Sequence, residues 1–193
     1  TDSIIEDNVF TANLIGIALR DNSNNNLVQR NTITASLDDG VLIESTSTSN
    51  SLLQNSIYAN AGLAIDLGPD GVTANDALDA DTGANNLQNF PVLTNALAAG
   101  STFTVSGSLN TEANKTYRIE FFASTAADGS GYGEGERYLG YTTVLTDGSG
   151  DATFHASLLA SVTAGEFISA TATEDLGGGS YSGTSEFALS IAA

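Results

Sequence analysis

Over the first third of the chain, apolar side chains alternate over short stretches, and the pattern recurs every 23 to 24 residues. Three segments align: NVFTANLIGIAL from Asn8, NTITASLDDGVLI from Asn31 and NSIYANAGLAI from Asn55. Each carries an apolar residue two positions after the Asn (Phe10, Ile33, Ile57), then a Gly (Gly16, Gly40, Gly62) that opens an alternating triplet. The triplets are Ile17-Ala18-Leu19, Val41-Leu42-Ile43 and Leu63-Ala64-Ile65, and a further apolar position, Ile5, Val28 and Leu52, precedes each Asn. A period of two with this much Asn excludes helix. The implied strands, three to five residues long, are too short for a conventional sandwich, and their Asn, Asp, Ser and Gly links tolerate left-handed turns. Such a unit closes one coil of a parallel β-solenoid, with coils about 4.8 Å apart. Asn8, Asn31 and Asn55 then form a structural ladder at an inner turn, their amides satisfying one another and the backbone.

After Pro91 the runs lengthen to TFTVSGSL (102–109), TYRIEFFAS (116–124), RYLGYTTVLT (137–146), ATFHASL (152–158), EFISATATE (166–174) and SEFALSIA (185–192). Turn clusters separate them, including TDGSGD at 146–151 and DLGGGSYSG at 175–183. Half a dozen strands at this spacing predict an antiparallel β-sandwich of Ig-like or fibronectin-like type. The expected organisation is all-β: parallel β-helix coils over 1–67, an Asp/Asn-rich junction over 68–93 and the sandwich over 94–193.

The pattern N-x-I, then G-(I/V/L)-x-(I/L), resembles the right-handed parallel β-helix repeats of pectate-lyase-like proteins over about residues 3–67. With the junction and the segments YRIEFFAS, GYGEGERYLG and SATATEDLGGGSYSGTSEF, it resembles a C-terminal part of large secreted bacterial proteins that set such repeats before a sandwich. The resemblance implies an extracellular or cell-surface location and further coils on the N-terminal side. It supplies no biochemical role.

Composition narrows the partners. The chain of 193 residues carries 23 acidic and 5 basic side chains, for a net charge of −18, and contains no Cys. Disulfides, thiolate metal sites and cysteine nucleophiles are excluded. Nucleic acid is not an expected partner, because phosphate binding rests on Lys and Arg. No apolar run approaches the ~20 residues of a membrane span, and no basic-then-apolar leader is present. Residues 1–93 hold 12 acids and 2 bases, and no basic residue lies between Arg30 and Lys115. Asp66, Asp70, Asp76, Asp79 and Asp81 crowd into that stretch, a self-repulsion that a divalent cation would relieve. Asp76, Asp79, Asp81, Asn85 and Asn89, with Gly83 among them, offer the oxygen donors that Ca2+ gathers. A solvated linker capped by Asx turns explains the same residues.

Other constellations are weaker. Asp38 and Asp39, ahead of GVLI, resemble the paired-Asp strand of polygalacturonases, where two carboxylates do acid/base chemistry. The GHG and RIK motifs of those enzymes are absent, and an ordinary turn accounts for both residues. His155 falls on the outward side of its strand, opposite Ala152, Phe154 and Ala156, without a nucleophile elbow. Tyr132, Glu134 and Glu136 form a possible carbohydrate- or peptide-binding loop, or a plain hairpin excursion. Lys115, the only lysine, raises an intramolecular Lys-Asn cross-link, while its neighbours NKTYR place it at the start of a strand. Two readings follow: a non-catalytic structural or adhesive module, able to self-associate through an uncapped coil end, or the accessory end of a polysaccharide-degrading enzyme.

Overall fold

The computed structural model describes residues 2–68 and 71–193. Its N-terminal part is a stack of three coils, each built from three short strands. The first coil comprises β1 (Ile4–Glu6), β2 (Val9–Thr11) and β3 (Ile17–Leu19). The second comprises β4 (Leu27–Gln29), β5 (Thr32–Thr34) and β6 (Val41–Ile43), and the third β7 (Ser51–Leu53), β8 (Ser56–Tyr58) and β9 (Ile65–Leu67). Three parallel sheets, β1-β4-β7, β2-β5-β8 and β3-β6-β9, run along the stack. Phe10 registers with Ile33, and Ile33 with Ile57, so in this sheet the sequence repeat is the structural one. In the third sheet Ile17 registers with Val41 but Val41 with Ile65, so the last triplet is Ile65–Leu67, two residues beyond the Leu63-Ala64-Ile65 of the sequence pattern, and Ala64 rather than Gly62 stands where Gly16 and Gly40 do.

Residues immediately before each corner polar side chain turn left-handed: Asp2, Asn25 and Ser49 at one corner, Asp7, Arg30 and Gln54 at the next, Ala12, Ala35 and Ala59 at the third. A non-glycine residue in this conformation costs about 1–2 kcal/mol, which the stacking must offset. The repeated glycine has a steric reason. A Cβ on Gly40 would lie 2.5 Å from Ile57 Cγ2 and 2.7 Å from the Ala64 carbonyl of the following coil.

Beyond the coils the chain enters two antiparallel sheets. One is β10 (Val92–Ala99), β11 (Thr102–Asn110) and β14 (Asp151–Leu158), in the order β10-β11-β14. The other is β13 (Arg137–Leu145), β12 (Thr116–Ser124), β15 (Phe167–Gly177) and β16 (Ser180–Thr184) in that order, with β17 (Ile191–Ala192) also pairing β15. Phe103, Phe121, Phe154, Ile119 and Ile168 pack between them, with the Phe121 and Phe154 rings 5.6 Å apart. Two local differences from the sequence pattern stand out. VLTNALAA pairs fully as β10 although its apolar residues do not alternate cleanly, its register shifting between Leu93 and Asn95. SEFALSIA is not one strand: Ser185 and Ala188 bond to β15, while Glu186 and Phe187 turn toward the coils.

Strands β12 and β15 are buried on both faces. Ile119, Phe121, Ile168 and Ala170 enter the sandwich core, while Phe122, joined by Phe187, enters the core of the coil stack. Phe122 meets Phe187 edge-on at 5.2 Å and Tyr138 at 5.7 Å. The molecule is therefore three layers deep: coil stack, five-stranded sheet, three-stranded sheet. Ile33, fully buried in the middle coil, should cost about 2–5 kcal/mol when cut to Ala. The outward-facing Ile4, 64% exposed, should cost under about 0.5 kcal/mol on the same change. Urea unfolding of the two variants measures the contrast.

Candidate functional site

Corner N–H groups of one coil donate to the next. Asp7 N donates to the Gln29 carbonyl, and Asn8 N to Asn31 Oδ1 at 3.0 Å. Arg30 N and Asn31 N repeat the pattern toward Leu53 and Asn55 Oδ1. Each ladder Asn also donates its amide onward, Asn8 Nδ2 to Asn31 Oδ1 at 3.2 Å and Asn31 Nδ2 to Asn55 Oδ1 at 3.0 Å. Asn8, Asn31 and Asn55 thus stack as the sequence predicts. A second ladder, from Ser3 N through Asn26 and Asn50, stands beside the predicted one, and the 24-residue spacing of Asn26 and Asn50 is its mark in the sequence.

The third coil has no fourth coil to receive the N–H groups of its corners and strands, and the downstream part of the chain supplies acceptors instead. Gln54 N donates to Glu120 Oε2 at 2.7 Å, Asn60 N to Glu134 Oε1 at 3.2 Å, and Leu67 N to Glu186 Oε1 at 3.0 Å. The Ala59 backbone also bonds to Glu134. Asn85 caps the second ladder: its Oδ1 accepts from Asn50 N, and its Nδ2 donates to the Asn50 and Thr184 carbonyls. Leu52 N donates to Thr184 Oγ1, and Gly135 exchanges two 2.9 Å backbone bonds with Ile57. Burial pushes the Glu134 carboxyl up despite its backbone donors. Burial raises Glu120 as well, with Arg118 opposing it. Arg118 is itself held by Glu120 at 2.6 Å, by the Tyr138 hydroxyl, and by the Tyr141 ring 3.6 Å away.

The loop expected to bind a ligand makes contacts within the chain. Tyr132 packs edge-on against Phe90, Glu134 caps the coil corner, and Glu136 accepts from the Thr125 N–H and hydroxyl. All three are occupied by internal contacts.

Of the five candidate metal ligands, Asp76, Asp79 and Asp81 converge, with carboxylate oxygens within 4.8 Å of one another. Asp79 accepts from Asn89 N at 2.7 Å and from the Thr111 hydroxyl at 3.2 Å. Desolvation, with smaller contributions from the Asp81 and Asp76 charges, pushes its carboxyl up to about 6. Asp81 Oδ1 is buried without a hydrogen-bond partner among the described residues. Asn85 is not part of this group, because its amide is committed to the ladder. Asn89 adjoins it but spends its side chain on the Asp76 backbone and the Asn110 carbonyl. Asp66 sits apart on β9, and Asp70 lies outside the described residues.

Asp38, Asp39, Glu44, Asp66 and Asp128 line a groove of about 630 Å³ on the β3-β6-β9 face, with Arg20 as its cation. Arg20 is paired with Glu44 at 3.1 Å, and Asp39, buried and raised by that burial, accepts from Leu63 N at 2.9 Å. His155 is exposed and bonds Ser106 Oγ through Nδ1 at 2.8 Å. Lys115 pairs with Glu174 and Glu112. Among the described residues no helix is long and apolar enough to cross a membrane.

A family model described as a right handed beta helix region matches residues 1–108, more than half of the chain. The match runs through all three coils and the junction into β11. No curated protein matches the sequence.

Glu134→Ala should leave the Ala59 and Asn60 N–H groups without their carboxylate and cost about 1–3 kcal/mol in urea unfolding. Glu134→Gln, whose amide oxygen still accepts, should retain most of that stability.

Proposed function

Because the chain belongs to the right-handed β-helix family, we propose that it is a non-catalytic structural or adhesive module of an extracellular bacterial protein, in which the sandwich terminates the solenoid. The observation that carries this reading is the fit of Glu120, Glu134, Glu186 and Asn85 to the donors of the last coil. Side chains from four separate segments serve that rim, so the sandwich is a seal for the stack rather than a domain tethered after it. An Ig-like sandwich suits such a role, since modules of this kind commonly serve as spacers or binders. All five basic side chains are engaged with carboxylates, which favours scaffold over lyase chemistry on a sugar acid.

The acidic groove is the one feature that favours the accessory-enzyme reading. Incubation with a panel of polysaccharides should release no new reducing or unsaturated ends. Cleavage abolished by Asp39→Asn would transfer the assignment to that second reading. A glycan array separates adhesion from scaffolding: bound sugar identifies a binder, and a blank array a spacer.

Calcium at Asp76, Asp79 and Asp81 stiffens the junction in this proposal. The raised Asp79 carboxyl and the unpartnered Asp81 oxygen support it, since both mark charge that the fold itself leaves poorly compensated. The folded-state pKa of Asp79 lies above its ordinary 3.8, so its stabilising contribution is complete below about 3.8 and is lost as pH rises through about 6. In EDTA the melting temperature should therefore fall across that window more steeply in the native chain than in Asp79→Asn. Millimolar calcium at pH 7 should raise the melting temperature by several degrees, and the Asp79→Asn, Asp81→Asn double variant should lose the shift. Calorimetry reads both effects, and an unshifted melt returns these aspartates to a solvated linker.

A further inference from the structure

Seventeen asparagines occur in the chain, and the coils spend the amides of several on structure. Asn26, Asn31, Asn50, Asn55 and Asn60 are buried, with side chains bonded across the coils. Where a hydroxyl side chain closely follows one of these, it comes at the very next position, as in Asn31-Thr32, Asn50-Ser51 and Asn55-Ser56. Only once does the chain read Asn, any residue but Pro, then Ser or Thr: at Asn114-Lys115-Thr116. That triplet is the acceptor signature for asparagine-linked oligosaccharides, and it belongs on surface loops of secreted proteins. Asn114 meets that demand. It is exposed in the turn between β11 and β12, in a left-handed conformation (φ 59°) that Asn tolerates. Its N–H donates to the Asp147 carbonyl at 3.1 Å, while its side-chain amide has no hydrogen-bond partner among the described residues. Thr116, half-buried at the first position of β12 and opposite Leu145, has an equally uncommitted hydroxyl. Lys115 N donates to Thr146 Oγ1 and Thr146 N to the Lys115 carbonyl, both at 3.0 Å. Fraying of this one end of the β12–β13 ladder frees the triplet to bend into a transferase.

We propose that Asn114 is the acceptor of an asparagine-linked oligosaccharide, with Glu112 as a second point of recognition. In the transfer, Asn114 Nδ2 attacks C1 of a polyprenyl diphosphate-linked oligosaccharide. The Nδ2–C1 bond forms, the C1–O bond breaks with its electron pair leaving on the diphosphate, and one amide proton passes to a base of the transferase. Glu112 stands two residues before Asn114 and stays 47% exposed although it pairs with Lys115 at 3.4 Å. Its carboxylate lies in the same turn, where a basic group of the transferase holds the segment. The inference rests on the extracellular location proposed above, because this modification belongs to exported chains.

The test uses the full chain with an unstructured acceptor tag appended after Ala193, exported by an added leader in a bacterium that carries a transferase for asparagine-linked glycans. Intact mass spectrometry should count two glycans, and peptide mapping should place one of them on Asn114. Thr116→Ser should keep both. Thr116→Val removes only a hydroxyl that bonds nothing in the fold, so it should keep the melting temperature and carry one glycan, on the tag. Glu112→Gln should lose most of the glycan at Asn114. A filled tag beside an unmodified Asn114 would overturn the acceptor, as would a glycan on Asn114 that survives Thr116→Val. Undiminished transfer in Glu112→Gln would strike Glu112 from it. Export by the added leader makes the count independent of the native location, so this inference and the extracellular reading fail separately.

Discussion

A parallel stack of coils cannot satisfy its own last rung. Every corner N–H that points downstream needs an acceptor from the next coil, and at the third coil that next coil is missing. A buried amide without a partner costs about 1–3 kcal/mol, so several together would undo a stack of this size. The rest of the molecule is arranged around that requirement: three glutamates, one asparagine and one threonine hydroxyl arrive at the open rim, at its corners and strands, from four separate segments. Carboxylates suit the task because each offers two oxygens and donates nothing. Glu134 illustrates the economy, meeting the adjacent Ala59 and Asn60 donors together.

Serving that rim dictates the character of the five-stranded sheet. Its β12 and β15 strands have no solvent face, so an ordinary half-buried alternation becomes an alternation between two kinds of interior. Ile119 and Phe121 look into a hydrocarbon core, while Arg118 and Glu120 look into a polar one that Phe122 interrupts. Burying the Arg118–Glu120 pair gains little by itself, because desolvation consumes most of the Coulombic attraction. Its use is positional: Arg118, stacked on Tyr141 and bonded to Tyr138, holds Glu120 where Gln54 N points.

The same geometry separates two populations of acids that composition merges. Glu120, Glu134 and Glu186 act as backbone acceptors within the packed interface. Asp76, Asp79 and Asp81 converge on each other, and burial and mutual repulsion raise Asp79. The first population accepts backbone N–H groups within the fold, and the second gathers like charge. Asp39 belongs nearer to the first, since its carboxylate accepts from Leu63 N across the coil stack.

The sequence by itself determined what depends on local period. Stacked coils repeat one chemical environment every 23 to 24 residues, so the Asn8-Asn31-Asn55 ladder, the inward apolar positions of the first two sheets and the small Gly16 and Gly40 beneath the next coil are written directly into the chain, whereas Gly62 falls two residues out of register. Strand alternation likewise exposed the sandwich and the outward His155. What only the tertiary structure decided is which side chains meet across distant segments. Glu134 read as part of a polar loop, and Asn85 as an oxygen donor for a metal, because nothing local shows a coil rim waiting 35 to 74 residues upstream. Hydrogen-bond demand at the end of a stack leaves no periodic mark on the segment that meets it. A glutamate that seals a solenoid and one that faces water are the same letter until the fold brings the donors to it.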